Sequence, residues 1–130
     1  MRSLVFLLAL APLAVQAQSD PVQAPILQQF EAFRAGDMAL AFSFASPTIK
    51  TLFGTPGNFG MMVEQGYPMV HSPGTVTMLE RRTVAGRLVQ RVMVTDQAGR
   101  GHLLDYEMVE TPEGWQINGV SLLPAPGVGA

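Results

Sequence analysis

From residue 26 onward the apolar positions recur at helical spacing. Ile26, Phe30 and Phe33 fall at i, i+4 and i+7, one stripe of a helix running to Gly36. Asp20-Pro21 precedes it, and Gln23 completes a capping-box pattern three residues after Asp20. Shorter stripes follow. Asp37 caps a segment carrying Met38, Ala41, Phe42 and Ala45, and Ser46 caps one carrying Ile49, Leu52 and Phe53 that stops at Gly54. Thr55 opens a fourth with Phe59, Met62 and Val63, ended by Gly66. Pro47 and Pro56 stand directly after their caps, where a missing N–H costs nothing. Helices this short need a surface to lie against.

Near residue 75 the period changes from helical to alternating. Residues 75–84, 87–96, 101–110 and 114–123 are rich in Val, Leu, Tyr and Trp, with short breaks of turn formers such as Ala85-Gly86 between them. That spacing predicts hairpins and an antiparallel meander. His102, Leu104, Tyr106 and Met108 share one face of the third strand; Leu103, Asp105, Glu107 and Val109 share the other. Such alternation fits a sheet covered on one side and wetter on the other. Helices followed by a run of strands predict an α+β domain, with short N-terminal helices packed on a curved four-stranded antiparallel sheet. The order resembles the cone-shaped nuclear-transport-factor-like superfold.

The first residues, MRSLVFLLALAPLAVQAQSD, read differently. Arg2, an apolar run over residues 4–13 and small residues after it have the layout of a secretory signal peptide. The run is shorter than the roughly 20 residues a membrane span needs. Val15 and Ala17 place cleavage after Ala17, which predicts a periplasmic or secreted protein with no stable span once residues 1–17 are removed. A single domain over residues 18–123 and an irregular tail over 124–130 would remain, enough chain for one core. With no cysteine, disulfides, thiolate metal sites and cysteine nucleophiles are excluded, and the fold must rest on apolar packing.

Charge narrows the partners. The net charge is −2, and the nearest basic cluster, Arg81, Arg82, Arg87 and Arg91, reads as an exposed strand face beside Glu80. Nucleic acid binding needs a concentrated basic surface and is not expected.

Chemical signatures are few. No phosphate-binding glycine loop, His-Glu-x-x-His or Gly-x-Ser-x-Gly occurs. FGTPGNFG is glycine-rich but lacks a lysine, and reads as two tight turns. His71 and His102 could each serve as a general base, yet both sit at element boundaries, where a surface role is the ordinary one. A carboxylate base with a tyrosine donor would suit enolate chemistry, but Asp105 and Tyr106 are strand neighbours and face opposite ways. An interior acid–base group would have to join Tyr106 to Tyr67, His71, Glu80 or Asn118. Met61, Met62, Met69 and His71 are soft ligands that could take copper; helical periodicity and gap filling explain the methionines as well. No catalytic residue, metal or cofactor is assigned.

Residues 57–74 read as the joint between the halves. Gly60 and Gly66 would allow close approach and reversal, and Pro68 would set an extended exit. Phe59, Met62 and Tyr67 would plug the seam between helices and sheet. Phe59, Met62, Tyr67, Met69, His71, Tyr106, Trp115 and Asn118 are the candidate pocket residues, an apolar set with few polar groups.

The strings FASPTIKTLFGTPGNFGMMVEQGYPMV, QRVMVTD-x-x-G, LDYEM and GWQINGVSLL resemble the bacterial family called domain of unknown function 4864, over residues 26–130. The resemblance implies a small exported protein of the cone-like fold and brings no functional residues to carry over. The leading expectation is non-catalytic binding of a small apolar ligand, or of a protein partner, in the helix–sheet pocket. An isomerase- or lyase-like enzyme acting on a small carbonyl compound is one alternative. The other is a structural, envelope-associated interaction protein, dimeric through its open sheet face.

Overall fold

A computed structural model describes residues 20–124. The expected signal peptide, its expected cleavage after Ala17 and the tail beyond Pro124 lie outside the described residues. Three of the expected caps form. Asp37 accepts from the Leu40 N–H at 3.0 Å, Ser46 from Ile49 at 3.3 Å and Thr55 from Asn58 at 3.1 Å. They open α2 (Met38–Ser43), α3 (Pro47–Phe53) and α4 (Pro56–Gly66). Each side-chain oxygen satisfies one of the N–H groups a helix start leaves unpaired.

Two local expectations are corrected. Asp20 does cap the start of the first helix: its side chain accepts from the N–H groups of Val22 and Gln23, ahead of the regular span of α1 (Gln23–Arg34). Its carbonyl accepts from the Ala24 N–H at 2.8 Å. The capping box is not closed, because the Gln23 amide donates instead to Gln90 Oε1 at 3.3 Å. Pro68 does not begin an extended exit. It occupies the first turn of a fifth helix, α5 (Pro68–His71), as proline's fixed φ permits.

The strands are β1 (Val76–Val84), β2 (Arg87–Thr95), β3 (Gly101–Thr111) and β4 (Gly114–Leu122), in the order β1-β2-β3-β4 and antiparallel throughout. Ala85 (φ 51°) and Gly86 (φ 80°) make the first hairpin, a two-residue turn that requires positive φ at both positions. Register shifts interrupt two ladders, at Met78/Arg81 in β1 and at Glu107/Met108, where Asn118 is the extra residue of β4. Bulges of this kind bend strands, and the sheet is curved. Gln90, fully buried, fills the first bulge: its amide donates to the carbonyls of Leu79 (2.9 Å) and Arg91 (3.0 Å), and Oε1 accepts from Arg81 Nε.

All five helices lie against one face. Ile26, Phe30, Phe33, Ala41, Phe42, Phe59, Val63 and Val70 form one core with Val92, Val94, Leu104, Tyr106, Met108 and Ile117 of the sheet. Fully burying a side chain such as Ile26 or Phe30 contributes about 2 kcal/mol, and no disulfide supplements it. The architecture is therefore α+β, short helices on a curved antiparallel sheet, as the residue order predicts. The opposite face is wet and ionic: Arg91 grips Asp105 with two hydrogen bonds (2.8 and 3.1 Å), and Arg82 adds a third at 2.7 Å. The link between α2 and α3 pairs with β4, Ser46 N–H to Ile117 O and Ile117 N–H to Phe44 O, and covers part of that edge. Among the described residues no helix is long and apolar enough to cross a membrane.

Candidate functional site

Between the helices and β3–β4 lies an apolar cavity of about 250 Å³. Tyr106 lines it from β3, with Ile117, Gly119 and Val120 from β4. Phe33 and Gln29 enter from α1, and Phe59, Met62 and Val63 from α4. Phe59 anchors this wall, its ring centroid 5.1 Å from Phe42, 6.0 Å from Phe53 and 6.1 Å from Phe33. Rings held at several angles by three neighbours make a stiff lining.

The mouth belongs to α3. Ile49, Leu52 and Phe53 form its apolar side and all line the cavity, yet α3 has no buried residue and Leu52 is 69% exposed. A helix normally buries its apolar stripe against the core. Here the stripe stays accessible because it borders the cavity.

Polar groups in the lining are few. Gln29 is buried and its amide donates to the Ala41 carbonyl at 3.0 Å. Tyr67 donates its phenolic proton to the Val120 carbonyl at 2.9 Å. Tyr106 is fully buried and its hydroxyl has no hydrogen-bond partner among the described residues. Burial, with a smaller effect from neighbouring Tyr67, pushes its ionisation far above the ordinary phenol range, so Tyr106 stays a neutral donor. Among the described residues no Asp, Glu, His, Lys or Arg lines the cavity.

Of the eight residues singled out from sequence, Phe59, Met62, Tyr67 and Tyr106 meet in this cavity. The other four do not. Met69 and His71 line a separate open groove with Glu64, Asp96, Arg100 and His102, because α5 turns them away, and the His71 ring packs 6.1 Å from Phe33. In that groove His102 Nε2 lies 2.9 Å from Asp96 Oδ2. This contact, then the backbone N–H of Arg100, brings the Asp96 carboxyl down to about 2. Asp96 also accepts from the Ala98 N–H, so the group ties the β2–β3 turn.

Trp115 sits in a groove beside Pro25, Phe44 and Lys50, at the far end of β4. Asn118, as the bulge residue, is held between Ser46 Oγ, which donates to it at 2.7 Å, and Glu107, to which it donates at 3.0 Å. The soft side chains are also dispersed: Met62 walls the cavity, Met69 and His71 line the groove, and Met61 is 58% exposed. Among the described residues no three His, Asp or Glu side chains group as metal ligands.

Sequence reasoning missed the rim of α3 and missed Gln29. The signal for Gln29 was present, since a glutamine lies between Ile26 and Phe33 on an otherwise apolar helix face.

Fold and cavity together define a small α+β domain with an apolar, cation-free chamber between its layers. The chain belongs to the family Domain of unknown function (DUF4864), which matches over residues 15–130. No curated protein matches it. Among solved structures, the phospholipid-binding protein from Ralstonia solanacearum, determined in complex with a phospholipid, is similar at a TM-score of 0.49. It shares 16% identity, over 78% of this chain and 75% of that one.

Proposed function

We propose that this domain binds a small apolar or amphipathic molecule without transforming it, in the cavity between α3, α4 and the sheet. One observation carries the reading: Ile49, Leu52 and Phe53 line an apolar cavity, and packing leaves Leu52 exposed and the other two only half-buried. A ligand lying in the cavity would cover them. At about 30 Å³ for each small-molecule heavy atom, the share of a water in the liquid, the volume suits roughly eight non-hydrogen atoms. That is just below the usual range for small-molecule pockets.

The isomerase- or lyase-like alternative needs a base within reach of the substrate. Its nominated imidazole, His71, lines the other groove, and among the described residues no carboxylate lines the cavity. The buried Tyr106 phenol supplies a donor and no base near neutral pH. Export to the periplasm or beyond belongs to the same proposal and rests on residues 1–17 alone; a dimer through the open sheet face remains the competing interaction role.

Native mass spectrometry of the full chain, purified without detergent, tests the binding reading. A retained small molecule is expected on the protein and not on Ile49→Trp, which narrows the mouth. A bare protein that also takes up no added apolar compound would overturn it.

A further inference from the structure

The geometry points to a ligand carrying one uncharged hydrogen-bond acceptor, the carbonyl of a ketone, aldehyde or ester, held by the Tyr106 hydroxyl inside the apolar cavity. This rests on the binding reading above and makes it chemically specific. Among the described residues three polar side chains line the cavity, and the donors of two are committed: Tyr67 to the Val120 carbonyl and the Gln29 amide N–H to the Ala41 carbonyl. Three buried side-chain polar atoms lack a partner among the described residues, on Arg82, Tyr106 and Gln116, and of these residues Tyr106 alone lines the cavity. A buried hydroxyl left without an acceptor is unfavourable, so a ligand that supplies one gains more than its apolar contacts provide.

The lining also selects against charge. Among the described residues no Arg, Lys or His lines the cavity, so a carboxylate would lose its water and meet no counter-charge. Burial keeps the Tyr106 phenol protonated, with a proton to give to an acceptor. An alcohol would bring a proton of its own in need of a partner. A carbonyl oxygen accepts and brings none. The complement is therefore a short apolar chain with a neutral carbonyl, about eight non-hydrogen atoms in all.

Equilibrium binding of methyl pentyl ketone, n-octane and heptanoate to the full chain at neutral pH separates the outcomes. One neutral hydrogen bond predicts that Tyr106→Phe weakens the ketone about five- to tenfold and n-octane hardly at all, with heptanoate the weakest of the three. The ketone-to-alkane ratio therefore falls by the same factor in that variant. The carbonyl stretch of the bound ketone, lowered by the hydrogen bond in the wild-type protein, returns to its value in an apolar solvent. A ketone-to-alkane ratio that is unchanged in Tyr106→Phe overturns the carbonyl inference and leaves an apolar site standing. Binding of none of the three overturns the inference together with the reading beneath it.

Discussion

Tyr67 and Val120 are joined by a 2.9 Å hydrogen bond from phenol to carbonyl, so the residue that ends α4 is fastened to the last strand. Both line the cavity. The bond spans the seam between the helical and strand halves and fixes how far apart the two walls stand. Tyr67→Phe keeps the ring and loses this bond. It should cost about 1 kcal/mol, the worth of one partly buried hydrogen bond. Urea unfolding would show a lower midpoint with an unchanged slope.

Tyr106 behaves in the opposite sense. Its hydroxyl is buried without a partner among the described residues, and removing such a group relieves a desolvation penalty. Tyr106→Phe should leave the ligand-free protein as stable as before or more stable by about 1 kcal/mol. On a domain of this size that is a rise of roughly 4 °C in Tm. A fall of comparable size would mean that the hydroxyl has a partner within the fold.

The ionic face gives a pH prediction. The Arg91 guanidinium first, then Arg82, holds the Asp105 carboxyl down from its ordinary 3.8 to about 2. A lowered pKa means the folded state favours the charged form. That contribution is fully present above 3.8 and is lost as the pH falls through about 2. Asp105→Asn should lower stability at neutral pH by about 1 kcal/mol, solvent screening included. Its stability should also change less steeply than the wild type's between pH 4 and pH 2, as circular dichroism melts across that range would show.

Gly74 precedes β1, and a Cβ there would stand 2.5 Å from the Thr95 carbonyl oxygen at the end of β2. Backbone cannot step aside as a flexible side chain can. Gly74→Ala should destabilise by about 1–3 kcal/mol, the cost of overpacking. Gly66→Ala, with nothing within 4 Å of its Cβ position, should be nearly silent. Chemical unfolding of the pair reads the contrast directly, and similar losses in both variants would place the close approach elsewhere.

These glycines show where local pattern stops informing. Within residues 57–74, read as a joint, Gly60 does lie close to a neighbour: a Cβ there would stand 2.9 Å from the flexible Met38 Sδ. The contact that backbone cannot relieve is at Gly74, set by β2, and Gly66 has open space. Side-chain caps at Asp37, Ser46 and Thr55 were legible because a cap acts on N–H groups two or three residues away. The Asp20 cap was legible for the same reason; the ion pair of its other oxygen with Arg81, distant in sequence, was not.

The site divides in the same way. Phe59 and Met62 follow from helical spacing and Tyr106 from strand parity, both local properties. Met69 and His71 were misplaced because proline fits an extended exit and a helix start equally well, and α5 turns them into another groove. Asn118 was misplaced because a bulge inserts one residue and breaks alternation. Whether the apolar side of α3 is covered or left bordering a cavity depends on where α4 and β4 stand, which no window of sequence encodes.

Methyl-resolved NMR of the full chain, titrated with methyl pentyl ketone, tests the central claim most directly. The methyl signals of Ile49, Val63, Ile117 and Val120 should move together and saturate on a single curve, while Met69 and the ring of His102 stay in place. Unmoved cavity methyls, or shifts gathered instead at Met69 and His102, would contradict a ligand site between the helices and the sheet.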